Sequence, residues 1–337
     1  MQTTKTREQK LRWGVLSTAK IGREKVIPAL QKSTHNHVLA ICSRDKQSAH
    51  KAADGLAIER AYGSYEELLA DPEIDAIYNP LPNHLHVEWS IKALQAGKHV
   101  LCEKPLGLNT ADAQRLVDAA RAHPHLKVME AFMYRFHPQW QLAKQLVDEG
   151  RIGKLHAVHS HFSYNNREPD NIRNKIDMGG GALLDIGCYS VSLSRWLFNE
   201  EPAHVLGQIT PTEGEEVDCL TSGLLEFSKG TASFTAATKI EPRQYVEALG
   251  DEGSLYIDRP FYNDGSEPVQ RIRVTRNRIQ EVIEVPDTNH YSAMGDAFAL
   301  SIFNNSQVPT PLDDAIANMR TIDALFKSAA ERQWVTL

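Results

Sequence analysis

Residues 11–22 read Leu-Arg-Trp-Gly-Val-Leu-Ser-Thr-Ala-Lys-Ile-Gly, a β-rich run that passes into a helical pattern through small residues. At such a turn the free backbone N–H groups and the positive end of the helix point the same way, which is what a bound phosphate requires. The small residues form Ser17-x-Ala19-x-x-Gly22, a variant of the Gly-x-Gly-x-x-Gly pattern. An ordinary strand–helix turn has a similar composition, so the surrounding sequence has to decide between the two interpretations.

The sequence around this turn alternates strands and helices. Short β-rich runs occupy residues 13–17, 37–43, 76–79, 99–103 and 127–130, and helical patterns occupy residues 21–32, 46–55, 65–70, 85–96 and 110–122. Such alternation with short connections predicts a parallel sheet of right-handed βαβ units, an α/β doubly wound Rossmann fold. Ligands of this fold bind at the carboxyl ends of the strands, which favours the phosphate-binding interpretation.

The pattern changes after about residue 131, which predicts two domains, 1–131 and 132–337. In the second half, helices are predicted at 138–150, 179–198, 290–303 and 312–332, and β-rich runs at 155–164, 221–227, 231–238, 245–249, 254–257, 272–275 and 281–285. Turn signals such as Asp264-Gly265 separate the runs, so we expect an α+β domain with a large open, mainly antiparallel sheet. The C-terminal helices are long enough to pack back on the first domain.

The composition excludes several classes of protein. The 337-residue chain carries a formal net charge of −6, which argues against general affinity for nucleic acid or an anionic membrane. Residues 1–10 lack the apolar core of a signal peptide, and we find no apolar run of the roughly 20 residues that a membrane helix needs. The cysteines lie far apart in apolar stretches, which predicts buried free thiols and a cytoplasmic protein. They are Cys42, Cys102, Cys188 and Cys219.

No metal site is expected. His156, His159 and His161 lie along one predicted strand. No carboxylate or cysteine with ligand spacing accompanies them, and such a set is what a protein zinc site requires.

The end of the second predicted strand bears on which dinucleotide binds. NAD-binding proteins of this fold place Asp or Glu there to bond the ribose hydroxyls. Here Ser43 is neutral, and Arg44 can pair with a 2′-phosphate or lie on adenine. The pattern therefore predicts NADP(H) in preference to NAD(H). Two alternatives stay open: a shift of one or two residues would bring Asp45 to the ribose, or Arg44 and Asp45 are a solvated pair at a helix start.

Candidate catalytic residues lie in two segments. Lys104 follows the predicted strand 99–103, and Asp185 and Tyr189 are four apart, so they share one face of a predicted helix. Oxidation of an alcohol needs a proton acceptor, and the ordinary tyrosine pKa near 10 is too high for that role at neutral pH. We expect Lys104 to lower the pKa of Tyr189 and to hold the substrate oxygen, while Asp185 orients Lys104 or a neighbouring hydroxyl. The alternative for Tyr189 is a half-buried helix aromatic.

Four ordered motifs carry a family resemblance. They are Glu103-Lys104-Pro105, the preceding Pro82-Asn83-x-x-His86, Tyr134-Arg-Phe-His-Pro138, and residues 179–189, Gly-Gly-Gly-Ala-Leu-Leu-Asp-Ile-Gly-Cys-Tyr. From residue 11 onward the chain resembles the glucose–fructose oxidoreductase / inositol dehydrogenase / rhizopine catabolism (Gfo/Idh/MocA) family. It is most similar to the branch with NADP-dependent xylose dehydrogenase and dihydrodiol dehydrogenase, because Tyr189 stands where inositol dehydrogenase-like members have His. Ser17 and Ala19 depart from the glycine pattern of the family.

The resemblance implies an enzyme that transfers a hydride between NADP(H) and a CH–OH group of a sugar or a cyclic polyol or diol. Tyr189 would donate and accept the proton, assisted by Lys104. The alternatives within the family are an NAD-dependent glycosidase without net redox change and a non-catalytic NADP-sensing regulator. We expect a homodimer or homotetramer joined through the open sheet, with a small-molecule substrate and neither nucleic acid nor membrane as a partner.

The resemblance and the strand ends together predict the contact residues. The cofactor-binding candidates are Ser17, Thr18, Ala19, Lys20, Ile21, Ser43, Arg44, Leu81, Asn83, His86, Glu103, Lys104 and Arg135. The substrate-binding candidates are Tyr164, Arg173 and Tyr291. For Arg135 a structural ion pair is an open alternative, and His84 is expected at the surface.

Overall fold

A six-stranded parallel sheet organises the first part of the chain in the computed structural model, which describes residues 10–210, 212–263 and 268–337. Its strands are β1 (Leu11–Val15), β2 (Asn36–Cys42), β3 (Arg60–Tyr62), β4 (Ala76–Asn79), β5 (His99–Cys102) and β6 (Val128–Glu130). They lie in the order β3-β2-β1-β4-β5-β6, and all neighbours are parallel. The order reverses at β1 and β4, which confirms the predicted Rossmann fold.

Helices connect these strands. A π-helical turn (Gly22–Val26) runs into α1 (Ile27–Gln31), followed by α2 (Lys46–Leu56), α3 (Tyr65–Leu69), α4 (Asn83–Gln95) and α5 (Thr110–Ala122). The side chain of Asn109 caps α5 by accepting a hydrogen bond from the N–H of Asp112. The sequence patterns locate each of these helices to within about two residues. They miss β3, because its three residues, Arg-Ala-Tyr, show no alternation.

A nine-stranded sheet organises the second part. Its strands are β7 (Leu155–Asn165), β8 (His204–Ile209), β9 (Leu220–Phe227), β10 (Gly230–Ala237), β11 (Lys239–Gly250), β12 (Gly253–Ile257), β13 (Val269–Arg276), β14 (Ile279–Pro286) and β15 (Val335–Thr336). They lie in the order β14-β13-β12-β11-β7-β10-β9-β8-β15, with β7 and β10 parallel and the other neighbours antiparallel. The mainly antiparallel sheet was predicted, whereas β8 and β15 were not. The predicted turn at Asp264-Gly265 lies outside the described residues.

Helices cover one face of this sheet. A 3-10 turn (Met133–Phe136) precedes α6 (Pro138–Asp148), two further 3-10 turns (Ile172–Asn174 and Ile176–Met178) precede a π-helical turn (Leu183–Gly187), and α7 (Cys188–Phe198), α8 (His290–Phe303) and α9 (Leu312–Glu331) follow. Along β9, Leu225 is fully buried under these helices, whereas Leu224 on the other face is 41% exposed.

Helices α8 and α9 also contact the part of the chain that contains the parallel sheet. Asp296 of α8 accepts a hydrogen bond from the side chain of Asn36 at 2.8 Å. Asp323 of α9 accepts one from the N–H of Thr110 at 2.8 Å, where α5 begins. Among the described residues we find no helix long and apolar enough to cross a membrane.

Candidate active site

A cleft of about 1190 Å³ lies at the carboxyl ends of the parallel strands. One wall contains Ser17 after β1, Ser43 after β2 and Glu103 after β5. The other wall contains Tyr164 of β7 and Tyr189 of α7. The cleft therefore lies where the strand order reverses, which is the position at which doubly wound sheets bind their ligands.

The turn after β1 keeps the backbone of a glycine turn although it has no glycine at its first position. Ser17 has φ +73°, in the left-handed region that glycine favours. Its hydroxyl accepts a hydrogen bond from the N–H of Ala19 at 3.3 Å, which supports the turn. The next helical turn starts at Lys20, and N–H groups at a helix start have no intrahelical acceptor. This donor set fits the pyrophosphate of a dinucleotide.

Arg44 and Asp45 have separate roles at the end of β2. Ser43 and Arg44 line the cleft. The carboxylate of Asp45 caps α2, where it accepts hydrogen bonds from the N–H groups of Gln47 at 3.2 Å and Ser48 at 3.1 Å. Bonds from the side chain and N–H of Ser48 and from the N–H of Gln47 lower the pKa of Asp45. The carboxylate that could have reached a ribose is thus engaged in capping.

The triple glycine lets the second wall approach the first. Gly179 has φ +75°, and a Cβ there would lie 2.4 Å from a methyl carbon of Leu108. Its carbonyl accepts a hydrogen bond from the side chain of Asn83 at 2.7 Å. Gly181 has φ +111°, and a Cβ there would lie 2.0 Å from Oδ1 of Asp218. A larger residue at Gly179 would push apart the two walls of the cleft, and one at Gly181 would collide with Asp218.

Lys104 and Asp185 meet across the cleft. The Lys104 Nζ donates to the backbone oxygen of Asp185 at 2.6 Å and to its Oδ1 at 3.1 Å. The Asp185 Oδ2 accepts from the hydroxyl of Tyr164 at 2.6 Å and from the Nε of Arg173 at 3.0 Å. Burial alone would raise the pKa of Asp185, but Arg173 and Lys104 outweigh it and hold that pKa well below its usual range. Asp185 is therefore an anion that holds the ammonium of Lys104 by two hydrogen bonds.

Lys104 contacts the ring of Tyr189, and the Tyr189 hydroxyl forms its hydrogen bond with another residue. The Lys104 Nζ lies 5.0 Å from the centroid of the Tyr189 ring, whereas the Tyr189 hydroxyl donates to the sulfur of Met133 at 3.3 Å. The ring packs edge-on against Phe132 at 5.3 Å between centroids. Burial raises the pKa of Tyr189 well above its ordinary value. The pKa is therefore raised where a lowering by Lys104 was expected, because burial dominates and the ammonium lies over the ring instead of bonding the hydroxyl.

Glu103 lies behind Lys104 and is paired with a tyrosine. Its Oε1 accepts a hydrogen bond from the hydroxyl of Tyr78 at 2.7 Å. Burial raises the pKa of Glu103, while Lys104 and Tyr78 partly oppose this rise. The side chain lines the cleft.

His86 braces the loop that carries Lys104. Its Nδ1 lies 2.8 Å from the carbonyl oxygen of Pro105 and its Nε2 lies 2.7 Å from that of Leu81. Burial lowers the pKa of His86 to about 4, so a neutral ring donates to one carbonyl at a time. Both nitrogens face backbone carbonyls, although the residue borders the cleft.

Arg135 lies away from the cleft. Its guanidinium pairs with Asp314 at 2.9 Å and donates to the hydroxyl of Ser192 at 2.7 Å. The side chain is buried, with only 9% exposed. This geometry corresponds to the structural ion pair that the sequence left open, not to a cofactor contact.

Most of the predicted contact residues line this one cleft. They are Ser17, Thr18, Ala19, Lys20, Ile21, Ser43, Arg44, Leu81, Asn83, His86, Glu103, Lys104, Tyr164, Arg173, Asp185, Tyr189 and Tyr291. Within residues 10–210, 212–263 and 268–337, no group of three or more His, Cys, Asp or Glu side chains is placed to hold a metal ion.

Several lining residues were not predicted. Phe162 shares a sheet face with Tyr164, so strand periodicity could have identified it. Met133 and Tyr262 also line the cleft, but each follows a strand by a short irregular segment without a sequence signal. His84, expected at the surface, lines the cleft as well.

Comparison with known proteins identifies the class of this fold and site. Residues 11–132 match the family described as "Oxidoreductase family, NAD-binding Rossmann fold" (GFO_IDH_MocA). Residues 140–256 match the GFO/IDH/MocA C-terminal domain. The chain belongs to the GFO/IDH/MocA oxidoreductase family, as the sequence motifs predicted, and it is an oxidoreductase.

Three relatives illustrate the similarity. D-xylose 1-dehydrogenase (NADP(+)) 2 of Haloferax volcanii is 39% identical over 322 residues, covering 94% of this chain and 97% of the relative. Trans-1,2-dihydrobenzene-1,2-diol dehydrogenase of Xenopus laevis is 36% identical over 249 residues, covering 73% and 74%. The crystal structure of KijD10, a 3-ketoreductase from Actinomadura kijaniata in complex with NADP and TDP-benzene, matches with a TM-score of 0.88 and 30% identity, covering 95% and 98%.

Proposed function

We propose that this chain transfers a hydride between NADP(H) and a hydroxyl of a sugar or a cyclic polyol or diol. In this proposal Tyr189 donates and accepts the proton, and Lys104 assists it. The observation that supports the proposal best is the anchoring of Lys104 by Asp185, with its ammonium 5.0 Å from the centroid of the Tyr189 ring. The three relatives, named as two dehydrogenases and a ketoreductase, support the same class of reaction.

The contacts of Lys104 suit it to hold a substrate oxygen. An ammonium has three donors, and Asp185 accepts from Lys104 through its backbone oxygen and Oδ1. The remaining N–H can point to the oxygen of a bound carbinol or carbonyl. When bound, the nicotinamide supplies or accepts a hydride at the carbon that carries this oxygen.

Tyr189 can reach the same oxygen by turning away from Met133. A thioether is a weak acceptor, so exchange of this bond for one to a substrate oxygen costs little. During reduction the phenol donates its proton to an oxygen that Lys104 polarises, and during oxidation it takes the proton back. Asp185 is a positioning residue here, because it acts through Lys104.

We infer that NADP(H) is preferred over NAD(H). Asp45 is engaged as the cap of α2, so the carboxylate that would repel a 2′-phosphate is directed away. Arg44 lines the cleft beside Tyr65, from where its guanidinium can pair with that phosphate. Residues 17–21 would hold the pyrophosphate, and Leu81, Asn83 and Glu103 would border the ribose and nicotinamide.

The test is a spectrophotometric screen of NADPH formation from NADP⁺ or NAD⁺ with a panel of sugars, polyols and diols. Tyr189→Phe and Lys104→Ala should each lower kcat by about 10²- to 10⁴-fold and leave NADPH binding measurable. His123→Ala, a change far from the cleft, is the control that should keep full activity.

A fully active Tyr189→Phe variant would refute the proton role. Release of nitrophenol from a nitrophenyl glycoside without NADPH formation would favour the glycosidase alternative, and NADP binding without any turnover would favour the regulator.

We also propose a homodimer or homotetramer joined through the open face of the nine-stranded sheet. Leu224 is 41% exposed on this face. His161 and Tyr245 stack there at 5.8 Å between centroids, and Tyr245 stacks on Tyr256 at 6.1 Å. A sheet face with aliphatic and aromatic side chains is suited to a symmetric contact with a second copy.

We further propose a two-domain division and a cytoplasmic location. We place the boundary between residues 131 and 132, since the last parallel strand ends at Glu130 and the 3-10 turn Met133–Phe136 begins the connection. All four cysteines, which lie in the described part of the chain, are buried free thiols. This state suits the reducing cytoplasm.

A further inference from the structure

The helix that carries Asp185 and Tyr189 is held at its start by a residue from another strand connection. Asp218 lies in the segment between β8 and β9. Its backbone oxygen accepts from the N–H of Ala182 at 2.6 Å, and its carboxylate Oδ2 accepts from the N–H of Leu183 at 2.7 Å. Asp218 thus satisfies N–H groups that the helix itself cannot bond, and its negative charge lies at the positive end of the helix.

Asp218 is itself held in place. The hydroxyl of Thr221 donates to its Oδ2 at 2.6 Å. The residues on either side, Val217 and Cys219, are 8% and 3% exposed, so the segment is anchored in the core. Gly181 leaves room for the carboxylate, because a Cβ there would lie 2.0 Å from Oδ1. Among the three glycines, this one is required by Asp218.

The same turn is tied to Asp185 from its other side. The N–H of Gly181 donates to the backbone oxygen of Arg173 at 2.9 Å, and the side chain of Arg173 donates to Asp185 at 3.0 Å. Movement of the helix start would therefore change the position of Asp185, which is only two residues after Leu183. Asp185 in turn determines where the ammonium of Lys104 lies.

We propose that Asp218 is a positioning residue for the reaction: it fixes the start of the helix so that Asp185 meets Lys104 and Tyr189 faces the cleft. This inference rests on the proposed function. A displacement of about an ångström at a reacting group can cost about a hundredfold in rate, even when the changed residue is far from the chemistry. A side chain that touches neither substrate nor cofactor can therefore control kcat.

The experiment compares graded changes at this anchor at about pH 8, where the carboxylate is ionised although burial raises the pKa of Asp218 to about 6. Asp218→Asn keeps an acceptor but loses the charge, and Asp218→Ala loses both. We expect kcat to fall by about tenfold and about a hundredfold, respectively, while KM for NADP⁺ stays within about threefold of wild type. Thr221→Val removes one hydrogen bond to Asp218, so its kcat should lie between that of wild type and that of Asp218→Asn. It keeps the test available if Asp218→Ala does not fold.

The matched control is Asn109→Ala. It removes a helix cap of the same kind from α5, where Asn109 accepts from the N–H of Asp112 at 2.9 Å, outside the cleft. It should lower the melting temperature as much as Asp218→Asn does and leave kcat unchanged. Equal effects of the two substitutions on kcat, or an unchanged kcat in Asp218→Ala, would overturn the positioning role.

A second measurement does not depend on turnover. Although burial opposes it, the Asp185 carboxylate raises the pKa of Lys104. Acetylation of Lys104 with increasing pH, followed by peptide mass spectrometry, reports this pairing. Asp218→Ala should shift half-acetylation of Lys104 to lower pH, and Asn109→Ala should not. If wild-type protein oxidises none of the polyols, the proposed function fails, but this shift still supports the anchor and its absence refutes it.

Discussion

Glu130 gives a stability prediction that is independent of the reaction. It ends β6 and is 1% exposed, so its carboxyl group is almost entirely removed from water. Burial and the nearby Asp314 raise the pKa of Glu130 to about 8, although Arg135 and a hydrogen bond from the N–H of Leu106 partly oppose them. At neutral pH the folded chain therefore holds a neutral carboxylic acid at a position where a glutamine of the same shape would not titrate.

The magnitude follows from the two pKa values. Taking about 4.5 for the unfolded chain and about 8 for the folded chain, the difference corresponds to about 5 kcal/mol at 1.36 kcal/mol per unit, an upper bound if water enters on ionisation. Because the folded-state pKa is raised, the stability that the neutral Glu130 contributes is fully present below about pH 4.5. It is lost as the pH rises through about 8. Relative to Glu130→Gln, wild type should thus lose stability steadily across this window.

Thermal and urea unfolding of wild type and Glu130→Gln at a series of pH values would measure the effect. The free energy of unfolding of the variant should rise relative to that of wild type as the pH rises, and most of this change should be complete near about pH 8. Glu88→Gln is the control, since Glu88 forms an exposed pair with Lys92 at 2.6 Å and should give a small, nearly constant difference over the same window. A gap between wild type and Glu130→Gln that does not depend on pH would refute the assignment of a neutral buried acid.

Three further predictions concern the cofactor, the site and assembly. Arg44→Ala should raise KM for NADP⁺ by about ten- to a hundredfold and change KM for NAD⁺ by less than about threefold in steady-state assays, and equal effects would contradict the 2′-phosphate contact. Asp185→Asn should lower kcat by at least about tenfold, because it weakens the hold on Lys104, and NADPH titration by fluorescence should show nearly unchanged affinity. Leu224→Asp should reduce the sedimentation coefficient to that of a monomer, and an unchanged coefficient would place the subunit contact elsewhere.

The sequence predicted the first sheet better than the details of the site. Short apolar runs between helical patterns identified β4 as residues 76–79 and α5 as residues 110–122, which are the observed bounds. The motifs then predicted that Lys104 and Tyr189 share one cleft, and both line it, because strand ends and helix starts meet where the strand order reverses.

The remaining features depend on contacts between distant segments. The engagement of Asp45 in capping was undecided from the sequence, since a helix cap and a ribose ligand need the same carboxylate. Asp218 lies 33 residues beyond Asp185, after an unpredicted strand, and nothing in its neighbours indicates a helix anchor. The direction of the Tyr189 hydroxyl depends on how the ring packs. The pKa of Tyr189 is therefore raised, whereas the sequence predicted that it would be lowered.

The raised pKa of Tyr189 leads to a prediction about direction. Burial, with smaller effects of Tyr291 and Glu103, keeps the phenol protonated well above its ordinary range. If Tyr189 donates the proton during carbonyl reduction, kcat for reduction should stay flat from about pH 7 to about pH 9.5, since the acid form persists throughout. Oxidation needs the phenolate, so its kcat should rise with pH over the same interval, and Tyr189→Phe should lose both activities. A reductive rate that falls with an apparent pKa near about 7 would mean that another group donates the proton, or that bound ligands bring Lys104 beside the phenol oxygen and lower its pKa after all.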